Sequence, residues 1–395
     1  MVQRHLGVMK VCTSRWRIGR VLVTGVGLLL VASACTGSEH AAQKSAATAA
    51  TAVSSTPTTS AARPAGASAA PARFTPGSFA AVSDRDYWLL GLVPCQAGRC
   101  HAILHTSDGG RSFATLRAPQ LPENGIPPML RFANRLDGFA YVPQARGVLY
   151  ATHDGGASWQ RLALGDVLAF ATAEGRAYAV TARCSLQRCT RYRFERARVA
   201  ANRWTVTMLP FAPEGSLFGL AALGSKVWLL GTRTGKRAVT NDELARSRNG
   251  GRTFVTGRGP CYAGLGGELT PTSSTVVWAV CPGGLLGSAW RSTDGGVTFT
   301  RLKTPPLANS ARLAPASAQV AVLDGNSAGS HLFRTTDGGR TWKATRTPAA
   351  AADVGRIGFS STKVGTALVH LSNGYRLVLW RTTDGGARWS EVRLP

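Results

Sequence analysis

One short pattern recurs six times in this chain and restricts what it can fold into. The segments 106–113, 152–159, 247–254, 292–299, 335–342 and 382–389 each run Ser/Thr, any residue, Asp or Asn, Gly, Gly, two residues, Phe or Trp. Their third positions are Asp108, Asp154, Asn249, Asp294, Asp337 and Asp384, spaced by 46, 95, 45, 43 and 47 residues. The 95-residue interval is about twice the others, so a worn seventh copy belongs in its middle. The segment 198–204 fits, keeping Trp204 and losing Asp-Gly-Gly. A unit this short cannot bury its own apolar face, so such units stack and close on one another.

The chemistry of the pattern specifies a turn. Two adjacent glycines tolerate positive φ, and the preceding carboxylate can accept backbone N–H bonds across a tight hairpin. Short apolar runs precede each copy, as in 131–143 followed by 147–151, and again in 356–360, 365–371 and 375–380. Four short strands per period describe one blade. The expected fold is therefore all-β, a seven-bladed β-propeller over 74–395. The outer strand of blade 7 is expected from the chain's own end, 388–393, with no strand exchanged across the closure.

These six segments resemble the Asp-box, or BNR, repeat of sialidases, sortilin-type receptors, xyloglucanases and photosystem II assembly factors. The resemblance implies a turn between the third and fourth strands of each blade, with a structural role for the six Asp/Asn residues. It also implies two kinds of function. Photosystem II assembly factors are non-enzymatic binding propellers, whereas sialidases and xyloglucanases hydrolyse glycans. Sialidases carry a Phe-Arg-Ile-Pro signature, which this chain lacks, since 124–128 reads Asn-Gly-Ile-Pro-Pro. The other carboxylates, such as Glu123, Glu174, Glu214, Glu243 and Glu268, show no paired spacing for glycoside hydrolysis. A binding scaffold without cofactor or metal is the expected function, with a glycan-active hydrolase as the alternative.

The N-terminus addresses the compartment. Arg4, Lys10, Arg15, Arg17 and Arg20 precede an apolar run over 21–34, followed by Cys35. This is the layout of a secretory signal, too short to span a bilayer. Residues 31–34, Val-Ala-Ser-Ala, resemble a bacterial lipobox, which implies a lipoprotein signal over 1–34 and lipid attachment at Cys35. The expected location is the outer face of the cell membrane, with plain secretion as the alternative; Met9 is a second candidate start. Residues 35–73, rich in Ala, Thr, Ser and Pro, read as a disordered linker that cannot bury enough surface to order itself.

Six cysteines remain beyond Cys12 and Cys35. Cys95/Cys100 and Cys184/Cys189 sit where second and third strands connect, and each pair is expected to close a hairpin loop. Cys261 and Cys281 are expected to bridge neighbouring strands of blade 5. An even count in an exported chain favours disulfides, zinc being the competing reading.

Positive charge is the surplus the repeat does not explain. The chain holds 46 Lys+Arg against 20 Asp+Glu, a net charge of +26 that stays at +21 once 1–34 is removed. Arg188, Arg191, Arg193, Arg196, Arg198 and Arg203 crowd the degenerate unit and form a candidate anion-binding patch. Outside the cell, and without a nucleic-acid motif, the expected partner is a protein or an anionic envelope polymer. The chain is expected to be a monomer. Tyr262 and Phe211 stand out as aromatics outside the repeat and free to stack on a ligand.

Overall fold

The computed structural model describes residues 73–395 apart from 97, 123–125, 144–146, 186–187, 236–239, 284–285, 308–310, 327–329 and 374–375. The signal, Cys35 and nearly all of the linker lie outside the described residues. Among those described, every regular element is a strand.

The repeated turns are built by the groups the sequence supplies. In the first, the Thr106 hydroxyl donates to Asp108 Oδ1 at 2.7 Å and accepts the Gly110 N–H at 2.9 Å. Asp108 also accepts the Arg111 and Ser112 N–H groups and the Ser112 hydroxyl. Gly109 and Gly110 adopt φ of 81° and 91°, a region L side chains rarely occupy. A Cβ on Gly110 would collide with the Tyr87 hydroxyl. Asn249 makes the same turn with an amide, accepting from Ser247, Arg252 and Thr253 and donating to the Thr253 hydroxyl.

Each turn joins the third and fourth strands of a four-stranded antiparallel blade, and the chain fills seven blades in order, the last two joined into one eight-stranded sheet by the pairing of Ser330 with Ala351. Blade 1 contains β1 (Thr75–Ala81), β2 (Tyr87–Cys95), β3 (Gly98–Thr106) and β4 (Ala114–Arg117). Blade 2 contains β5 (Met129–Phe132), β6 (Gly138–Tyr141), β7 (Leu149–Thr152) and β8 (Gln160–Arg161). Blade 3 contains β9 (Asp166–Ala173), β10 (Arg176–Ser185), β11 (Arg188–Arg198) and β12 (Thr205–Thr207). Blade 4 contains β13 (Pro213–Leu223), β14 (Lys226–Arg233), β15 (Asn241–Ser247) and β16 (Val255–Tyr262). Blade 5 contains β17 (Glu268–Pro271), β18 (Val277–Cys281), β19 (Ser288–Ser292) and β20 (Thr300–Arg301). Blade 6 contains β21 (Leu313–Pro315), β22 (Ala321–Asn326), β23 (Ser330–Thr335) and β24 (Lys343–Ala344). Blade 7 contains β25 (Ala351–Phe359), β26 (Gly365–Leu371), β27 (Leu377–Thr382) and β28 (Ser390–Val392). The molecule is an all-β seven-bladed propeller. Blade 7 takes β28 from its own end, and the closure carries a backbone bond from Phe74 N to Pro395 O.

The core lies between blades. Second strands bury both faces, as in β2, where Tyr87–Leu90 are all at most 1% exposed. The Trp88 ring stacks on Phe132 of the next blade, with centroids 3.8 Å apart. A leucine buried so completely contributes about 2 kcal/mol, so these sandwiched strands supply much of the driving force.

Polar bonds run from each blade to the next. Trp88 Nε1 donates to Gly155 O, His153 shares a bond with Asn202 Oδ1, and an Arg196 amino group donates to Gly250 O. Trp228 Nε1 donates to Gly295 O, Arg291 to Ala318 O and Arg334 Nε to Gly385 O. At the closure Arg381 donates to Asp84 O, and the hydroxyls of Ser360 and Ser361 donate to the Asp84 carboxylate at 2.8 and 3.0 Å. Four of these links use an arginine, so part of the positive surplus is structural.

Two expectations need correction. Cys261 does bond to Cys281, but Cys261 lies on β16 and Cys281 ends β18, so this disulfide joins blade 4 to blade 5. The repeat boundary falls between the two residues, and the cysteine spacing does not mark it. Phe211 is 8% exposed and packs in the core between blades 3 and 4, whereas Tyr262 is 50% exposed. The disulfides Cys95–Cys100 and Cys184–Cys189 close the loops between second and third strands.

Candidate functional site

The first strands of the blades surround a central channel of about 370 Å³. Its wall mixes apolar side chains on six blades, Phe79, Phe132, Phe170, Leu220, Leu269 and Phe359, with the hydroxyl residues Thr172, Thr270, Ser360 and Thr366. Arg131 is its one charged lining residue among those described. The repeat explains what gathers around Arg131. Ser273, Ser317 and Ser361 open the turn after the first strand in blades 5, 6 and 7, each hydroxyl accepting an N–H three residues on. Five residues before these serines stand Glu268, Arg312 and Arg356, one position of the repeat in three successive blades.

Arg312 bridges its neighbours. Its Nε donates to Gly355 O at 3.2 Å, and an amino group pairs with Glu268 at 2.9 Å. Arg356 is partly buried and reaches the Met129 sulfur on β5. Burial, reinforced by the charges of Arg131 and Arg312 and opposed by Tyr141 and Glu268, pulls the Arg356 guanidinium down to about 10. Three guanidiniums and one carboxylate thus act on one another electrostatically, and the carboxylate is already paired with Arg312. The same Arg312 and Glu268 line a depression of about 210 Å³ with Leu217, Leu265 and Pro282 between blades 4, 5 and 6. A positive cluster beside apolar surface can receive an acidic chain carrying apolar groups.

Sequence reading by clusters missed these arginines, because 131, 312 and 356 are far apart in the chain. Aligning the first strands of the repeat places 312 and 356 in register; Arg131, two positions later on its strand, enters only through the closure of the ring.

The arginines expected as one patch are divided. β11 carries Arg191 and Arg193 into a groove between blades 2 and 3. Arg196 is on the other side, bonded to blade 4, where burial and the charges of Arg252 and Arg176 lower its pKa. Arg188, Arg198 and Arg203 are exposed. A strand alternates its faces, so consecutive odd and even arginines cannot serve one surface.

A depression of about 680 Å³ along β27 and β28 is lined by Arg73, His370, Arg376 and Glu391. Arg376 pairs with Glu391 at 3.0 Å, and His370 lies 3.6 Å from Asp353. The turn carboxylates Asp108, Asp154, Asp294, Asp337 and Asp384 are also committed. Their hydroxyl and backbone donors hold them below the usual carboxylate range, although burial works against this at four of the five and more weakly at Asp337. Among the described residues no group of three His, Cys, Asp or Glu is placed to hold a metal ion.

Comparison with known proteins agrees with this architecture. Residues 287–394 match the family model described as sortilin, neurotensin receptor 3. No curated protein sequence matches the chain. A solved structure of YCF48 bound to D1 peptide is 18% identical, with TM-score 0.52, covering 82% of this chain and 98% of that one. YCF48 from Cyanidioschyzon merolae is 14% identical, with TM-score 0.51, covering 79% and 95%. A puromycin hydrolase is 15% identical, with TM-score 0.54, covering 81% of this chain and 55% of the enzyme. At these identities the likeness concerns the fold, and the chain is similar to propellers that bind and to propellers within larger enzymes.

Proposed function

We propose that this chain is a non-enzymatic binding propeller that holds an anionic protein segment or envelope polymer at the Arg131–Arg312–Arg356 cluster. In this reading a lipid on Cys35 and the 35–73 linker tether it to the outer face of the membrane. The carrying observation is the imbalance at the cluster, three guanidiniums against one carboxylate already paired. An incoming carboxylate or phosphate would restore the balance through charge-assisted hydrogen bonds. The similar fold of YCF48, described in complex with D1 peptide, supports a peptide as one such partner.

The alternative is glycan hydrolysis, which the proximity of Tyr141 and Glu268 to the arginines brings into view. Glu268 is the cluster's one carboxylate, 57% exposed and paired with Arg312. Most glycosidases need a second. Turnover of a fluorogenic sialoside or glucan would replace the binding reading with this one.

Calorimetric titration with an oligo-glutamate peptide tests the proposal. Binding should weaken with rising salt and fall at least tenfold in an Arg131→Ala/Arg312→Ala variant. Unchanged binding in that variant would reject the site. Loss of membrane retention in Cys35→Ala would support the anchor, and full retention would reject it.

A further inference from the structure

The groove between blades 2 and 3 is a second concentration of positive charge, built by different residues. It has two lobes of about 210 and 350 Å³ that share Leu164, Gly165, Arg193 and Glu195. Arg183 and Arg191 line the first lobe; Asn202, Trp204 and Val206 line the second. Arg183, Arg191 and Arg193 form no ion pair among the described residues. Glu195 is 3% exposed and accepts the Thr181 hydroxyl on Oε1, with no cation paired to it.

The backbone shows how Arg191 comes to be there. The register of β10 with β11 shifts between Thr181 and Arg183, which sets Arg191 and Tyr192 together opposite Ala182. At this bulge Arg191 takes φ of 54°, one of three non-glycine residues with positive φ among those described. That position in a bulge favours glycine, and an arginine there is strained. The bulge sends Tyr192 outward to bond Gly215 O at 2.7 Å and leaves Arg191 on the groove. The Cys184–Cys189 bond fixes the loop between the arms bearing Arg183 and Arg191. Asp166 accepts the N–H groups of Cys184 and Gly147, both at 2.7 Å, tying that loop to blade 2. Strain retained in a braced frame is a mark of a functional position.

We propose that this groove binds a sugar phosphate unit, with Arg183, Arg191 and Arg193 on the phosphate and Glu195 accepting from a neighbouring hydroxyl. Three guanidiniums and one carboxylate leave a formal charge of +2, which matches a phosphate monoester. Buried Glu195 offers an acceptor that a sugar hydroxyl can fill and an aspartate or glutamate carboxylate cannot, which separates a phosphorylated sugar from an acidic peptide. Leu164, Trp204 and Val206 offer apolar surface for the sugar's C–H face.

The test is calorimetric titration of the whole protein with glucose 6-phosphate, with glucose and inorganic phosphate as separate probes. The expected result is binding of glucose 6-phosphate at least tenfold tighter than of inorganic phosphate. Arg191→Gly should lose that binding while unfolding at an equal or higher temperature, because glycine relieves the positive φ. Glu195→Gln should narrow the preference for the sugar phosphate, weakening the hydroxyl contact while inorganic phosphate, no longer facing a carboxylate, binds more tightly. Absence of binding, equal affinity for inorganic phosphate, or binding retained in Arg191→Gly would overturn the proposal. The cluster variant Arg131→Ala/Arg312→Ala should bind glucose 6-phosphate normally, which separates this site from the first.

Discussion

The disulfide between blades 4 and 5 permits the most quantitative prediction. Cys261 and Cys281 are separated by 20 residues and both are 1% exposed, whereas the two loop disulfides each span 5. Cross-linking lowers the entropy of the unfolded chain with the logarithm of loop length. At room temperature this amounts to about 3.3 kcal/mol for the inter-blade bond and about 2 kcal/mol for a loop bond. An entropy of unfolding of about 2.1 cal/mol/K per residue, over roughly 320 residues, converts these to drops in Tm of about 5 °C and 3 °C. Cys261→Ala/Cys281→Ala and Cys95→Ala/Cys100→Ala should therefore differ in thermal scans, the first losing more. Because the longer bridge ties two blades, hydrogen exchange should also rise on both β16 and β18. Should the inter-blade variant lose no more than the loop variant, the chain-entropy reasoning fails for this fold.

Further outcomes follow from the same contacts. Trp228→Phe removes the bond to Gly295 O and should cost about 1 kcal/mol more in urea unfolding than Trp380→Phe, whose indole N–H is buried with no partner among the described residues. Asp154→Ala strips acceptors from Thr152 and Ser158 and should cost about 1–2 kcal/mol after allowance for its exposure. Asp154→Asn should cost less, since Asn249 already makes this turn, and equal losses would contradict that. Burial raises Asp242 to about 6, against bonds from Thr232 and Gly264 that lower it. The folded state then holds a proton the unfolded chain releases near pH 4, so stability falls as pH rises from about 4 to 6. The turn carboxylates act oppositely: they stabilise above about pH 4, and that stability is lost as pH falls toward their depressed values. Asp242→Asn should abolish the loss between pH 4 and 6, and an unchanged stability profile would contradict this assignment.

Much of the architecture is legible in the residues because the repeat is local chemistry. Asp-Gly-Gly with a flanking hydroxyl closes its own hydrogen bonds within five residues, as Thr106, Asp108 and Gly110 do, and needs no distant partner. Blade 3 shows how little of the motif is indispensable. Its hairpin from Arg198 to Thr205 is one residue shorter and has no such carboxylate, yet Trp204 still packs against Phe139 of blade 2 and Phe170 of its own blade. The function was less legible. A run of arginines looks like one patch in the sequence, but strand alternation sends Arg193 to a groove and Arg196 to a structural bond with Gly250.

The sequence by itself determined the blade count, the order of the strands and the turn that ends each repeat, since period and turn chemistry are properties of neighbouring residues. Only the tertiary structure decided which charges meet. Closing seven blades into a ring brings Arg131, Arg312 and Arg356 near one another, and the division of β16 and β18 between blades 4 and 5 makes the Cys261–Cys281 bond an inter-blade one. Both depend on distances between segments far apart in the chain, which no local pattern encodes.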